Sequence, residues 1–270
     1  MEFSIIVPVF NEAGNVRPLL AEIDRAMAGQ PDWEVIYVDD GSTDGTREEL
    51  QAAATDCPVL RVLHYPRRHG QSCALLTGVE AARAPWIVTL DGDRQNDPAD
   101  IPALIDRLAG ERGRHAAVML AGHRTRREDS AVKRWSSRVA NAVRGGLLKD
   151  ATPDTGCGVK LFPREAYLKL PAFDHMHRFL PALMQRQGVP VVSVPVRHRA
   201  RCEGVSKYGV HNRLWVGLVD LAGVMWLMRR PLGRCPNRRG LFERLGDTLG
   251  VAWLQRRPCR VAAQEESLHV

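Results

Sequence analysis

The chain has 270 residues, 44% of them hydrophobic, and a formal charge of +7. That allows one sizeable core in one or two domains, and points to acidic ligands such as nucleotides, phospholipids or nucleic acid. Six cysteines, Cys57, Cys73, Cys157, Cys202, Cys235 and Cys259, are scattered without a Cys-x-x-Cys pair, which argues against a structural zinc site. No charged region with an apolar run and a small-residue cleavage site precedes the first strand, so no secretion signal is expected and the thiols are expected to be reduced.

The first apolar run, from Phe3, is a strand punctuated by Pro8 and followed by the polar pair Asn11-Glu12. Val16, Leu19, Leu20, Ile23 and Met27 then recur at helical spacing, and Gly29 with Pro31 ends that helix. Glu34 to Val38 is a second strand, running into Asp39-Asp40 and then Gly41 to Thr46. Small hydroxyl and acidic residues there can cap a helix that starts near Thr43 to Thr46 and reaches about Ala54. Val59 to His64 reads as a short strand and Gln71 to Arg83 as an alanine-rich helix. Pro85 leads into the strand Trp86 to Leu90, which delivers Asp91-Gly92-Asp93-Arg94-Gln95 to one loop.

Further along, Pro98 to Pro102 opens a helix through Leu108 that ends near Gly110 to Gly113, and Ala116 to Ala121 is a strand. The segment from Gly122 to Arg138 holds six Arg or Lys against two acids. It is either a solvated face or a cradle for phosphate. His175-Met176-His177 lacks a third ligand and a metal-type spacing, and reads as the polar start of a helix from Phe179 to Gln187. Alternating strands and helices predict a mostly parallel sheet with helices on both faces. Ligands of such sheets bind at the carboxyl ends of the strands, so the three acidic loops should face one pocket.

Leu214 to Met228 is apolar apart from Asp220, and at 15 residues it is short of the roughly 20 that span a bilayer. Arg213 precedes it, Arg229-Arg230 follow it, and Trp215 and Trp226 lie within it, which suits a helix in the headgroup region. The alternative is a helix packed on the preceding domain or at a dimer interface. From Arg229 onward nine arginines face four acids, a balance of 9 − 4 = +5 that favours anionic lipid. A second amphipathic stretch runs from Leu241 through Leu245, Leu249 and Trp253. Expected units are therefore 1–210 as catalytic domain, 211–230 as an amphipathic juxtamembrane-type helix and 231–270 as a basic tail.

Asp-Gly-Asp alone is most simply a polar turn. In order and spacing, however, Ile5 to Glu12, the run Val38-Asp39-Asp40-Gly41-Ser42-Thr43-Asp44-Gly45-Thr46 and the Asp91-Gly92-Asp93 turn resemble the motifs of family 2 glycosyltransferases of the GT-A fold. Asp91 to Pro98 and Arg201-Cys202-Glu203-Gly204-Val205-Ser206-Lys207-Tyr208 resemble the polyprenol-phosphate branch, which includes dolichol-phosphate mannosyltransferase and bacterial enzymes that load sugars onto undecaprenyl phosphate. The resemblance covers roughly residues 3 to 230.

The resemblance implies an α/β GT-A fold and an inverting transfer of a hexose, mannose- or glucose-like, from a GDP- or UDP-sugar to polyprenyl phosphate. It implies nucleotide-sugar contacts from Pro8, Asn11, Glu12, Asp39 and Asp40, with Asp40 at the base edge and Glu12 at the ribose. Magnesium or manganese, held by Asp93 with Gln95 and Asp91, would bridge the diphosphate. Arg201, Ser206 and Lys207, with Arg124 on the opposite side, would bind phosphate. Asp154 corresponds to a carboxylate near the reacting centre; it is a base, a sugar-orienting group or a turn cap, and a phosphate acceptor, already an anion at neutral pH, needs no base. Asp91, Asp93 and Asp154 are the catalytic candidates.

The expected location is the cytoplasmic face of a membrane, held peripherally; homo-oligomerisation is left open. A transferase acting on a glycan hydroxyl and a membrane-docked nucleotide-binding scaffold are the rival readings. Nucleic acid is disfavoured because aromatic residues are not interleaved with the arginines, and a dinucleotide oxidoreductase because no Gly-x-Gly-x-x-Gly follows the first strand.

Overall fold

A computed structural model of the chain describes residues 1–124, 145–148, 152–199 and 210–230, with side chains in the last stretch from 217 onward. The strands are β1 (Phe3–Val9), β2 (Trp33–Asp39), β3 (Leu60–His64), β4 (Trp86–Thr89), β5 (Met119–Arg124), β6 (Lys160–Pro163) and β7 (Val191–Val196). The helices are α1 (Ala13–Met27), α2 (Thr46–Asp56), α3 (Gln71–Ala81), α4 (Ile101–Arg112), α5 (Arg164–Leu168), α6 (Leu180–Arg186) and α7 (Val210–Met228). One seven-stranded sheet has the order β3-β2-β1-β4-β6-β5-β7. β6 runs antiparallel to both neighbours and the other pairings are parallel. This is the mostly parallel α/β sheet expected from the alternation of elements, with a GT-A-like arrangement.

The alternating side chains of the strands separate two cores. Ile5, Val7 and Val9 face the side covered by α1, α2 and α4, where Leu19, Ile23, Leu50 and Leu104 are buried. Ile6, Ile36 and Val38 face α3, α6 and α7, against Leu75, Val79 and Leu183. β1 is buried along its whole length because strands and helices cover it on all sides.

Three boundaries differ from the sequence expectation. β5 starts at Met119 rather than Ala116, and runs to Arg124 because parallel pairing with β7 continues from Met119↔Val191 to Arg124↔Val196. A 3₁₀ turn at Pro98–Asp100 precedes α4, with the Asp97 side chain accepting from Ala99 N. Met176–Phe179 is likewise a 3₁₀ turn, so the helix expected from Phe179 begins at Leu180. The described residues up to Arg229 belong to one compact unit. The phosphate-binding candidates Arg201, Ser206 and Lys207, the basic positions 126–138 and the second amphipathic stretch lie outside the described residues.

α7 packs one face on the domain: Val224 is buried among the second core, with Leu221, Met225 and Met228 against it. Asp220, the acid that interrupts the apolar run, meets His175 Nδ1 at 3.1 Å. The other face leaves Leu218, Val219 and Trp226 exposed at 49%, 60% and 63%. Among the described residues no helix is long and apolar enough to cross a membrane.

Glu34, buried in β2, is paired. Glu34 accepts from Ser4 Oγ at 2.7 Å, Arg83 N at 2.8 Å and Arg61 Nη1 at 2.7 Å. Burial alone would raise its pKa, but Arg61 and the two other donors outweigh it and hold the carboxyl below the ordinary glutamate value of 4.5. The unfolded chain therefore binds this proton more tightly than the fold does. The stabilisation is complete above about pH 4.5 and is lost as pH falls through the lower folded value. Glu34→Gln is accordingly expected to flatten the acid limb of the unfolding midpoint below that pH, and an unchanged limb would assign it elsewhere.

Candidate active site

The carboxyl ends of β2, β1 and β4 are adjacent, and their loops are stitched together. Asp40 N donates to Val9 O at 2.8 Å and Leu90 N to Ile6 O at 3.1 Å. The loop after β1 grips the loop after β2: Asn11 N donates to Ser42 Oγ, Thr43 N to Asn11 Oδ1, and Glu12 N to Thr46 Oγ1, all within 2.8 Å. Asn11 adopts φ 55°, a left-handed conformation that asparagine tolerates better than most side chains. The Glu12 carboxylate accepts from Asn15 Nδ2. Pro8 is buried within β1, opposite Val38.

The two carboxylates after β2 have different surroundings. Asp39 is buried, accepts from Ser42 N at 2.9 Å and meets His64 Nδ1 at 3.2 Å. Burial opposes its ionisation, yet His64 and Ser42 outweigh that and keep its pKa below the usual aspartate value. Asp40 accepts from His69 N at 2.7 Å and Gly70 N at 2.9 Å, clamping the loop ahead of α3. Gly41 permits this closeness: its φ is 72°, and a Cβ there would strike the backbone of Arg67, 2.7 Å from Arg68 N. Arg68 lies over the Phe10 ring, 4.4 Å from its centroid.

The loop after β4 brings Asp91 and Asp93 together. Asp91 accepts from Gln71 Nε2 at 2.9 Å, at the start of α3, and from Asn96 Nδ2 at 3.2 Å. Asp93 accepts from Gln95 N at 3.1 Å. Burial raises the Asp91 pKa, and the neighbouring Asp93 charge raises it further. Two carboxylates in mutual repulsion, with a carboxamide two residues on, form an all-oxygen donor set that fits Mg²⁺ or Mn²⁺. Among the described residues no group of three or more His, Cys, Asp or Glu gathers at a metal-binding distance.

Across from these acids, β6 and the turn before it contribute groups that the sequence reading did not single out. Gly158 sits so close that a Cβ would overlap Asp91 Oδ2 and lie 2.7 Å from Asn96 Nδ2. Its carbonyl accepts from Thr89 Oγ1 at 2.7 Å. Lys160 is buried, donates to Cys157 O and feels the charges of Asp91 and Asp154. Burial lowers its pKa against the pull of those neighbouring anions. Its one sequence signal was a lone lysine in Val159-Lys160-Leu161-Phe162.

Arg124, proposed from sequence as a phosphate ligand, and Asp154, proposed as catalytic, are partners. Arg124 Nε donates to Asp154 Oδ2 at 2.6 Å and Nη2 to Oδ1 at 2.8 Å, a bidentate pair with Asp154 only 2% exposed. His177, beside the start of α3, is half-buried. It shares a hydrogen bond with Ser72 Oγ at 2.7 Å, and burial pushes its pKa down to about 3. It is a neutral structural histidine.

Residues 4–170 match the family model described as Glycosyl transferase family 2. The chain belongs to that family. This family 2 glycosyltransferase is 36% identical over 235 residues to the dodecaprenyl-phosphate galacturonate synthase of Rhizobium johnstonii, covering 85% of this chain and 68% of the relative. It is 34% identical over 215 residues to the undecaprenyl-phosphate 4-deoxy-4-formamido-L-arabinose transferase of Pseudomonas paraeruginosa, covering 78% of this chain and 61% of that one. The fold is similar to that of glucosyl-3-phosphoglycerate synthase from Mycobacterium tuberculosis, solved with Mn²⁺, UDP and glucosyl-3-phosphoglycerate. That similarity has a TM-score of 0.60 at 20% identity and spans 93% of this chain and 81% of the other. At that identity the likeness speaks for the fold.

Proposed function

We propose that this glycosyltransferase moves a sugar from a GDP- or UDP-sugar to polyprenyl phosphate, with inversion, at the cytoplasmic face of a membrane. The observation that carries the reading is the Arg124–Asp154 pair. Both Asp154 oxygens are engaged by one guanidinium, which suits a carboxylate that orients and not one that removes a proton. An acceptor that arrives as an anion, as a phosphate does near neutral pH, needs no such base, and the names of the relatives support that acceptor class.

Asp93, Gln95 and Asp91 would hold the divalent cation, which when bound neutralises charge on the departing nucleoside diphosphate. Gln71 and Asn96 hold the two Asp91 carboxylate oxygens. Asn11, Glu12, Pro8 and Asp40, gathered beside β1 and β2, form the wall assigned to the nucleoside. Lys160 and the Arg124–Asp154 pair stand on the opposite side of the site, and Arg201, Ser206 and Lys207 complete the assignment for the acceptor phosphate. The phosphate oxygen attacks the anomeric carbon opposite the leaving group, so an α-linked donor gives a β-linked product and no glycosyl-enzyme is formed. The exposed Leu218, Val219 and Trp226 of α7, followed by Arg229-Arg230, suit peripheral docking on anionic lipid.

The test is transfer of labelled sugar to undecaprenyl phosphate from a panel of GDP- and UDP-sugars, widened to uronic acid and amino-pentose donors in view of the relatives' names. A lipid-linked product that requires Mn²⁺ or Mg²⁺ is the expected outcome. Transfer to glycan hydroxyls with no lipid product would discard the acceptor assignment.

A further inference from the structure

Helix α1 lies on the far side of the loop that carries Asp91 and Asp93, yet one of its side chains holds two arginines from distant parts of the chain. Glu22 Oε1 accepts from Arg94 Nη2 at 2.6 Å and Oε2 from Arg199 Nη1 at 2.7 Å. Its side chain is 15% exposed. Burial works against its ionisation, but the bonds from Arg94 and Arg199 more than offset this and keep its pKa low.

Arg94 stands between Asp93 and Gln95 with φ 59°. A non-glycine residue enters that region at a cost and stays there only where its surroundings hold it. Arg94 Nε is buried without a hydrogen-bond partner, so its guanidinium is anchored through the Nη2 bond to Glu22. Arg199 grips the same loop from the other side. Its N donates to Gln95 O at 2.9 Å, its Nη2 meets Asp97 Oδ1 at 2.6 Å, and the adjacent His198 forms a β-bridge with Asn96. In sequence, Arg199 is two residues before Arg201.

We propose that Glu22 is a positioning residue: one carboxylate on α1 sets the backbone angle of the Asp93–Gln95 turn and locks the 197–199 segment against it. The donor-side loop and the root of the segment leading to Arg201 then move as one piece. The role given to the segment beyond Arg199 rests on the function proposed above; the loop geometry does not. The two arginines are not equivalent. Arg199 keeps Asp97 when Glu22 is removed, whereas Arg94 loses its anchor, so the first effect falls on Asp93 and Gln95.

The experiment compares wild type, Glu22→Gln and Glu22→Gln/Arg94→Gly by calorimetric titration of UDP and GDP with Mn²⁺, with kcat, KM and unfolding midpoints alongside. A carboxamide offers one acceptor and an NH₂ that faces a second donor, so Glu22→Gln cannot hold both arginines. It is expected to weaken metal-dependent nucleotide binding and lower kcat by about 10- to 100-fold, the scale of a misplacement near 1 Å. Arg94→Gly in that background is expected to restore binding, because glycine adopts the left-handed conformation without an anchor. A lower midpoint with unchanged binding and kcat, or no recovery with glycine, overturns the proposal. The nucleotide titration decides it even where no lipid phosphate accepts sugar, so failure of the proposed function is separately visible.

Discussion

Asp93→Ala is expected to lower sugar transfer by about 10²- to 10³-fold, the scale of removing one preorganised electrostatic group, while the protein stays folded. The side chain accepts from Gln95 N and is half-buried at the mouth of the loop, so the cost in stability should stay at the roughly 1 kcal/mol of an ordinary point substitution. A second readout separates metal binding from packing. Mn²⁺ with nucleoside diphosphate should raise the unfolding midpoint of the wild type and leave that of Asp93→Ala unmoved. The pH dependence has the opposite sign to that of Glu34. The folded pKa of Asp91 lies above the ordinary value of 3.8, from burial first and from Asp93 second. Stability therefore falls as pH rises from about 3.8 through the folded value, where the fold gives up a proton that the unfolded chain has already lost. Removing Asp93 takes away the second cause and should shrink that loss. An equal midpoint shift with metal in both proteins would place the cation elsewhere.

Much of this arrangement was legible in the sequence because each strand that ends in the site is an uninterrupted apolar run followed at once by acids. Strand period, helix spacing and turn residues all agreed on the same βαβ order, so β1, β2 and β4 and their acidic loops fell where expected. What escaped were contacts between groups far apart in sequence. Glu22 lies off the apolar stripe of α1 formed by Val16, Leu19, Leu20, Ile23 and Met27, and such a position reads as solvent-facing until the chain folds Arg199 back upon it. Lys160 is one polar residue among apolar neighbours in a stretch where no strand was expected; only the antiparallel insertion of β6 between β4 and β5 buries it near Asp91. The start of β5 was missed because strand length there is set by the partner β7, which local pattern does not report.

The Arg124–Asp154 pair carries the other large expectation. Arg124→Ala would leave the Asp154 carboxylate, 2% exposed, without its bidentate partner, and breaking a buried pair from one side costs about 3–5 kcal/mol. The exposure of Arg124 at 20% and the nearby Lys160 charge place the expected loss toward the lower end of that range. Asp154→Asn keeps an acceptor for the guanidinium and should cost about 1–3 kcal/mol. Replacing both, as Arg124→Met with Asp154→Leu, removes the charges together and should recover much of the stability measured by denaturant unfolding, yet transfer should stay low because nothing then orients the reacting groups. The kinetics separate an orienting carboxylate from a proton acceptor. If Asp154 removed a proton from a hydroxyl, Asp154→Asn would abolish transfer, whereas Arg124→Ala, which removes the guanidinium and keeps the carboxylate, would leave a working base. With an ionised phosphate as nucleophile, both variants lose rate to a similar degree. The residual kcat of Asp154→Asn should then follow the ionisation of the acceptor phosphate, levelling off above about pH 7.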